Sequence, residues 1–450
     1  MNAPLLRRTA LGKTAALVGV LAAACGSTGE QGSTSGASPQ VGAKGFAFKQ
    51  PVAVQYWKSL EGPRHEAQVK LTDDFNSSRS DINVSLEHVG GYAQAAEKLT
   101  AALAANTPPD VMLLTVDQHM PAFARQGALF PLDEYARADK SARMDTYAPG
   151  FIKNGTIKGK LYQIPFARST PLLYFNKDHF VAAGLPDKAP ATYDALLDTA
   201  QKLTRAGVAQ PDSADGSKRA LPSIVSWWPF QSTIWAFGGR YSDENFTPTA
   251  TQRETVQAME YLADAVYRHR AARAYKTGGA AQKAFIEGQL SFLFASTANL
   301  TQIEKDASFR VGAAFMPAQK QRAVPGGGSG LCIIGSAPQE KKEASWEYMK
   351  FMTTTPNTIY FSQQTGYMVV RTDAPTLPEY KRHLEENPNA RVTFDQMQYV
   401  RTQDPIVGVP QVTPTIHKAM TEVLIEQALP RSAFEELQRQ LAVLVESAPK

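Results

Sequence analysis

The sequence is poor in cysteine, with only Cys25 near the N-terminus and Cys332 inside an apolar run among 450 residues. A framework of several disulfides is therefore excluded, so the stability of the protein must come from its hydrophobic core. At this length and with 43% hydrophobic and 20% charged residues, the chain can form two or more globular units.

The sequence also lacks the short motifs of common catalytic sites. It contains neither G-x-S-x-G nor H-E-x-x-H, and its seven histidines are scattered without the spacing of metal ligands on one helix. The glycine run 326–330 has no Walker lysine and no G-x-G-x-x-G spacing. Two facing carboxylates, as in a glycoside hydrolase, are not excluded by sequence. We nevertheless expect a protein that is not an enzyme, with no metal and no cofactor.

Excess charge of one sign is nearly absent from the main part of the chain. The formal net charge is +5, but Arg7, Arg8 and Lys13 supply +3 within the first 24 residues, which contain no acid, so the rest carries +2. General affinity for nucleic acid needs a strongly basic surface. We therefore expect no nucleic-acid partner.

The N-terminus has the pattern of a secretory signal. The basic residues precede an uncharged stretch, 14–24, which is about half the roughly 20 residues that a membrane-spanning helix needs. Small residues before Cys25 make the stretch resemble a bacterial lipoprotein signal, in which this cysteine is lipidated, although Ala22 stands where leucine is more common. An ordinary cleaved signal is the alternative, and Arg7-Arg8 also faintly resembles a twin-arginine export signal, although the sequence context favours Sec export.

These features predict a signal peptide at 1–24 and a flexible Gly/Ser-rich tether at 25–49, which would span on average roughly 25 Å. A lipidated Cys25 would leave no second cysteine for an intramolecular disulfide with Cys332. The expected location is outside the cytoplasm, on a membrane, in the periplasm or at the cell surface.

From Val52 onward, short apolar strands alternate with amphipathic helices. The strand patterns are "VAVQYW", "INVSLEHV" and "DVMLLT", and the helical ones between them are "HEAQVKLTDDFNSS" and "AQAAEKLTAALAAN". Repeated strand–helix–strand order predicts an α/β fold with a mainly parallel sheet and helices on both faces.

Several short motifs occur in the order "WKSLEG", "DDFN", "PPDV", "STPLLYFNKD", "AGLP", "GGGSG" and "TGYMVVR". In this order they resemble the extracellular solute-binding proteins of ABC importers, within the sugar-binding group that includes glycerol-3-phosphate and maltose binders. The resemblance implies the type II periplasmic-binding-protein fold, with two α/β lobes, hinge crossings and a ligand cleft between the lobes. We expect lobe 1 to contain residues 50–167 and 294–328, and lobe 2 to contain residues 168–293 and 329–450.

The same resemblance implies a set of ligand contacts. They are two phenols, two hydroxyls, one carboxylate and one backbone contact, at Tyr92, Tyr367, Ser169, Ser296, Asp117 and Gly328. Ser169 would face the cleft where the chain first crosses between the lobes, and Thr170-Pro171 would stiffen that crossing. Tyr193 replaces a tryptophan usual in the family and would line the cleft edge.

One position departs from the pattern. Glycerol-3-phosphate binders have an arginine that grips the phosphate where this chain has Thr413, and a neutral hydroxyl cannot neutralise a buried dianion. Arg168 could supply the charge instead, because guanidinium binds phosphate bidentately. Its alternative role is an ion pair that fixes the hinge. The ligand therefore stays open between a glycerol phosphate or phosphodiester and a neutral sugar.

Aromatic and acidic residues near loop ends add further candidates. Of the adjacent tryptophans at 227 and 228, we expect Trp228 to face the cleft, whereas Trp235 and Trp346 have the spacing of core residues. Glu61 is a cleft candidate with a solvated loop end as its alternative.

We therefore expect the substrate-binding component of an ABC transporter, a monomer that captures a small hydroxylated solute and delivers it to the permease subunits. A surface sensor or adhesin on the same fold is the alternative, followed by a carbohydrate-active enzyme.

Overall fold

The computed structural model describes residues 45–211, 216–409 and 411–447. The predicted signal peptide, Cys25 and most of the predicted tether lie outside these ranges. Within them, the strands are β1 (Val52–Lys58), β2 (Ile82–His88), β3 (Val111–Thr115), β4 (Thr156–Ile157), β5 (Lys160–Leu161), β6 (Ile164–Ser169), β7 (Pro171–Asn176), β8 (Leu221–Ile224), β9 (Ala272–Tyr275), β10 (Phe292–Ser296), β11 (Val311–Ala314), β12 (Val324–Pro325), β13 (Gly327–Ile333) and β14 (Val400–Arg401).

Helices separate the first strands of the described ranges, as the sequence pattern predicts, whereas the last part is mainly helical. They are α1 (Pro63–Ser78), α2 (Tyr92–Ala104), α3 (His119–Arg125), α4 (Asp133–Ala138), α5 (Pro149–Asn154), α6 (Lys177–Ala182), α7 (Tyr193–Ala206), α8 (Trp227–Phe237), α9 (Arg253–Tyr267), α10 (Gly278–Ile286), α11 (Leu300–Asp306), α12 (Gln339–Met352), α13 (Thr355–Thr365), α14 (Pro378–Glu386), α15 (Pro388–Asp395), α16 (Val412–Leu424) and α17 (Pro430–Ser447).

Local sequence explains where these elements begin and end. Helix α7 begins after Thr192, whose hydroxyl accepts a hydrogen bond from Ala195 N at 3.2 Å, and it stops at Gly207, which has a left-handed φ of 63°. Strand β3 is apolar and buried along its whole length because it lies inside a sheet that is covered on both faces.

Two sheets divide the molecule. The first has the strand order β2-β1-β3-β13-β6, in which β1 pairs in parallel with β2 and β3, and β13 runs antiparallel to both of its neighbours. The second has the order β10-β7-β11, all antiparallel, and β8 and β9 form a separate parallel pair. The three parallel strands predicted at the start of the chain are confirmed.

The hydrophobic core is divided in the same way. One set of buried residues surrounds the five-stranded sheet and includes side chains of α1, α12 and α13. Other clusters surround β7, β10 and the helices α7 to α9, and continue to α16 and α17. We call the part built on the five-stranded sheet lobe 1 and the part built on the three-stranded sheet lobe 2.

The strand pairing and the core packing differ from the predicted distribution of the chain over the lobes, and the helices α12 and α13, predicted in lobe 2, pack in the core of lobe 1. Strand β11, predicted in lobe 1, pairs with β7 of lobe 2, and β13, predicted almost entirely in lobe 2, lies between β3 and β6 of lobe 1. The chain does reach the lobe boundary near the predicted crossing, because Thr297 N donates to Thr170 O at 2.9 Å. It then turns back into lobe 2 through α11, so the return to lobe 1 comes only at Gly326–Gly327.

The first crossing lies two residues beyond the predicted lobe boundary between residues 167 and 168. Strand β6 ends at Ser169 in lobe 1 and β7 begins at Pro171 in lobe 2, which leaves Thr170 as the connecting residue. Gln396 holds this residue, because its side-chain amide donates to Thr170 Oγ1 at 2.7 Å and to Pro171 O at 2.6 Å. The crossing is therefore buried and fully tied to its surroundings.

The predicted tether ends earlier than residue 49. Phe46 is buried, its backbone N donates to Glu347 Oε1 at 2.8 Å, and its carbonyl accepts from Arg79 Nη2 at 2.8 Å. Glu347 also forms ion pairs with Arg79 at 3.1 Å and with Lys350 at 2.9 Å. A buried ionic network thus holds the first described residues against lobe 1.

In the ranges that the structure covers, none of the helices combines the length and the apolar composition needed to cross a bilayer.

Buried His179 is expected to make stability depend on pH. Its Nδ1 lies 3.0 Å from Ser291 Oγ, and burial lowers its pKa from 6.5 to about 4, against the opposing effect of Asp178. Between these values the unfolded state binds more protons, so the free energy of unfolding falls as pH falls from 6.5 toward 4. Urea titrations at pH 7.5 and 4.5 should show that His179→Gln reduces this loss by about 2 to 3 kcal/mol relative to the unmodified protein. Identical losses in both proteins would contradict the assignment.

Candidate ligand-binding site

Polar groups collect where three strand ends of lobe 1 meet. Because β13 runs antiparallel to β3 and β6, its first residues lie beside the last residues of those strands. Ser169 is paired with Gly327, Arg168 with Gly328, and Val116 N donates to Gly328 O at 3.1 Å. Asp117 follows directly. The predicted contacts Asp117, Arg168, Ser169 and Gly328 are thus brought together.

Two glycines at this point have no room for a side chain. Gly328 has a φ of 83°, and a Cβ there would lie 2.0 Å from the carbonyl oxygen of Ala167. At Gly327 a Cβ would lie 2.4 Å from Trp228 Cζ2. Gly328 is predicted to make a backbone contact, and Gly327 in addition provides the space in which the indole of Trp228 packs.

Lobe 2 faces this group with residues of α8 and α16. Trp228 is partly buried, and its Nε1 is buried without a hydrogen-bond partner among the residues described. Thr413 accepts a hydrogen bond from Gln118 Nε2 of lobe 1 at 3.2 Å, and Arg125 of lobe 1 lies 5.7 Å from the ring centroid of Phe246. The lobes are therefore in direct contact next to the site.

The two predicted phenols lie at the edge of the site on lobe 1. Tyr92 is the first residue of α2, and its hydroxyl lies 3.0 Å from Ser329 Oγ. Burial raises the pKa of Tyr92 well above its ordinary value, so the phenol keeps its proton and can donate a hydrogen bond. The ring of Tyr367 stacks on Phe361 at 5.7 Å, and Arg64 lies 5.3 Å from its centroid.

Asp117 and Arg168 are the charged groups of the site. Burial raises the pKa of Asp117, while Gln118 N donates to its Oδ1 at 3.1 Å and favours the ionised form. Burial lowers the pKa of Arg168 to about 9, and the opposing effects of Asp117 and Tyr92 keep it from falling further. Arg168 therefore stays charged near neutral pH. The carboxylate can accept hydrogen bonds from two neighbouring hydroxyls.

The remaining predicted residues have different positions. Ser296 ends β10 next to Thr297, and its hydroxyl accepts from Ala298 N at 3.2 Å, so it borders the site as a capping residue. Glu61 is not part of the group: its side chain is 79% exposed and lies 3.8 Å from His88. Tyr193 does not line the cleft edge. It is fully buried among core residues of lobe 2, and its hydroxyl lies 2.8 Å from Thr233 Oγ1.

Two tryptophans lie in the hydrophobic core, as their spacing predicts. Trp235 and Trp346 are 3% and 1% exposed, and each indole donates to a buried aspartate, Asp404 and Asp139 respectively. The expectation for Trp228 rested on an extended segment, whereas residues 227 and 228 begin helix α8. Trp228 faces lobe 1 because it lies in the first turn of this helix.

Two residues near Arg168 were not predicted from the sequence. Asn154 at the end of α5 has a buried Oδ1 without a partner among the described residues, and Gln403 donates from Nε2 to Gly326 O at 2.7 Å. Neither "IKNGT" nor "RTQDP" carries a motif, so no sequence signal could have found them. Gly326 belongs to the glycine run 326–330.

No group of three or more His, Cys, Asp or Glu side chains within the described ranges has the arrangement to hold a metal ion.

Comparison with known proteins agrees with this architecture. Residues 70–389 match the bacterial extracellular solute-binding protein family. The sn-glycerol-3-phosphate-binding periplasmic protein UgpB of Pectobacterium atrosepticum is 26% identical over 361 residues, which cover 76% of this chain and 79% of that protein. The protein of the same name from Rhizobium meliloti is 25% identical over 424 residues, covering 87% of this chain and 94% of the relative.

Solved structures give the same picture. The crystal structure of UgpB from Mycobacterium tuberculosis in complex with glycerophosphocholine superposes with a TM-score of 0.78 at 31% identity, covering 88% of this chain and 98% of that one. The cyclic alpha-maltosyl-1,6-maltose binding protein from Arthrobacter globiformis has a TM-score of 0.76 at 20% identity, covering 88% and 100%, and is similar in fold. The predicted two-lobe periplasmic-binding-protein fold of type II is thereby confirmed.

Proposed function

Because this chain belongs to the bacterial extracellular solute-binding protein family, we propose that it is the substrate-binding component of an ABC importer and captures a small hydroxylated solute between its lobes. The observation that carries the proposal is the set of buried polar groups on facing surfaces of the two lobes. Arg168, Asn154 and Trp228 contribute buried polar atoms that have no partner among the described residues. Buried polar groups are normally hydrogen-bonded, so such a set indicates a place for a ligand.

The chemistry of the site suits a polyol. The Asp117 carboxylate accepts from neighbouring hydroxyls, Tyr92 and Ser169 can donate, and the indole of Trp228 offers an apolar face for C–H groups. Relatives are named for sn-glycerol 3-phosphate, and the Mycobacterium tuberculosis structure contains glycerophosphocholine. Glycerol-derived and sugar-like solutes are therefore the class to test.

Lobe closure would be driven by the solute itself. A ligand shifts the equilibrium between open and closed forms only through contacts that exist in the closed form. Contacts to Trp228 from lobe 2 and to Asp117 from lobe 1 at the same time meet this condition. The closed form would then be presented to the permease subunits by a monomer anchored through lipidated Cys25.

Replacing Asp117 with asparagine is expected to weaken solute binding about tenfold, because the amide keeps the size of the side chain but offers one acceptor oxygen in place of two. Titration calorimetry with sugars, polyols, glycerol phosphate and glycerophosphodiesters measures the effect. The control is Glu61→Gln, an exposed acid outside the buried group, which should change affinity less than about twofold. Equal affinity of Asp117→Asn and unmodified protein would exclude this site, and no micromolar binder in the panel would contradict the proposed function.

A further inference from the structure

Arg168 is a buried cation that the protein itself does not satisfy. Its side chain is 0% exposed, and none of its three guanidinium nitrogens has a hydrogen-bond partner among the residues described. Arg371 provides the comparison within the same chain, since it is also buried but donates to four acceptors, on Thr353, Ala142, Arg143 and Thr146. Removing a guanidinium from water without hydrogen bonds is costly, so the exception at Arg168 requires a reason.

The alternative role of Arg168, an ion pair that fixes the hinge, does not fit its contacts. Asp117 acts on it electrostatically, but no described carboxylate oxygen forms a hydrogen bond with its nitrogens. The contact that the guanidinium does make is a cation–π contact with Phe151, whose ring centroid lies 4.9 Å from the guanidinium carbon. A stacked ring fixes the plane of the guanidinium and leaves its edge donors available.

The space beside the guanidinium is shaped by glycine. A Cβ at Gly326 would lie 3.2 Å from Arg168 Nη2 and 2.9 Å from Asn154 Oδ1, so any larger residue would press on both groups. At the next residue, a Cβ on Gly327 would lie 3.1 Å from Trp228 Nε1. The donors of Arg168 and Trp228 thus border two consecutive glycines, and Gln403 fixes this segment by its bond to Gly326 O.

We propose that this cluster, which we call the Arg168 subsite (Arg168, Trp228, Asn154 and Gly326), binds an oxyanion carried by the solute. This inference rests on the proposed function and assigns the substrate class, a hydroxylated solute with a phosphate-ester or carboxylate group. The four unpartnered donor nitrogens of Arg168 and Trp228 outnumber the two unpartnered acceptor oxygens near them, on Asn154 and Gln403. A guanidinium pairs with two oxygens of one anion. Thr413 cannot take this part, since its hydroxyl is neutral and already accepts from Gln118.

The test compares matched neutral and anionic solutes by titration calorimetry. The pairs are glycerol with sn-glycerol 3-phosphate and with glycerophosphocholine, and glucose with glucose 6-phosphate and with gluconate, so that monoester, diester and carboxylate are distinguished. The unmodified protein is expected to bind at least one anionic member about thirtyfold more tightly than its neutral partner. In Arg168→Met the ratio of anionic to neutral affinity should fall about thirtyfold, and Arg168→Lys should restore part of it.

A second readout separates this role from a structural one. Because the guanidinium has no internal partner, Arg168→Met should unfold at the same temperature as the unmodified protein or higher, whereas loss of a structural ion pair would lower it. Clear destabilisation by Arg168→Met would overturn the inference. Neutral solutes bound as tightly as anionic ones by the unmodified protein would also overturn it, with the proposed function intact. Absence of binding for every solute would contradict the proposed function itself.

Discussion

Replacing Gly327 with valine is expected to weaken solute binding about a hundredfold and to leave the protein folded. A Cβ at this position would lie 2.4 Å from Trp228 Cζ2, and the φ of Gly327 is not in the left-handed region, so the strand itself tolerates a side chain. Since Gly327 belongs to lobe 1 and Trp228 to lobe 2, the added atoms would hold the lobes apart. Contacts that form only on closure would then be lost.

Small-angle X-ray scattering with and without solute measures this effect. The radius of gyration of the unmodified protein should decrease when solute binds. The Gly327→Val variant should keep the radius of gyration of the open form. Adding Trp228→Ala to Gly327→Val removes the obstacle and should restore compaction, although not the indole contact with the solute. The matched control is Gly279→Val, where a Cβ meets nothing within 4 Å. Full compaction of Gly327→Val would show that closure does not bring these residues together.

Replacing Glu347 with alanine is expected to lower the free energy of unfolding by about 3 to 5 kcal/mol. The carboxylate is 6% exposed and accepts from Phe46 N while pairing with Arg79 and Lys350. Its removal takes one carboxylate partner away from each of the partly buried cations Arg79 and Lys350. It also removes the acceptor that holds Phe46 N, which releases the segment from Gly45 to Phe48. Urea unfolding measures the stability, and faster proteolysis before Phe46 reports the release.

The control for this experiment is an ion pair on the surface of the same lobe. Asp74 pairs with Lys70 at 2.7 Å, but both side chains are about half exposed, so Asp74→Ala should cost less than about 1 kcal/mol. A loss of similar size in the two variants would mean that the buried network contributes no more than a surface pair. Unchanged proteolysis in Glu347→Ala would mean that other contacts hold the N-terminal segment.

The sequence predicts the parallel half of the first sheet because each of its strands is a short apolar run followed by an amphipathic helix. Periodicity of this kind is local, and it identifies β1, β2 and β3 correctly. The position of β13 depends instead on which distant strands it pairs with. Its apolar run fits either sheet, and the strand pairing puts it in lobe 1 and not in lobe 2. The chain therefore crosses at the glycine run in the direction opposite to the one predicted.

The site residues that were predicted came from the family resemblance, and two of them lie where the backbone constrains the residue type. Gly328 needs a positive φ, and Ser169 precedes the proline that opens the next strand. The environment of Arg168 was not predictable, because its buried neighbours Asn154 and Gln403 lie far apart in sequence and belong to segments without a motif. Whether an arginine finds acceptors inside the protein is decided by tertiary packing, which one sequence does not display.

The pairing of Ser169 with Gly327 places two passages between the lobes side by side on hydrogen-bonded segments. Both residues belong to lobe 1, so the two crossings leave this lobe at one point, and such a narrow double connection favours bending of the lobes over sliding. Lobe closure is therefore expected to be a rotation about essentially one axis. Larger solutes should stop this rotation at larger interlobe angles. Interlobe distances measured with solutes of increasing size would therefore increase in the same order.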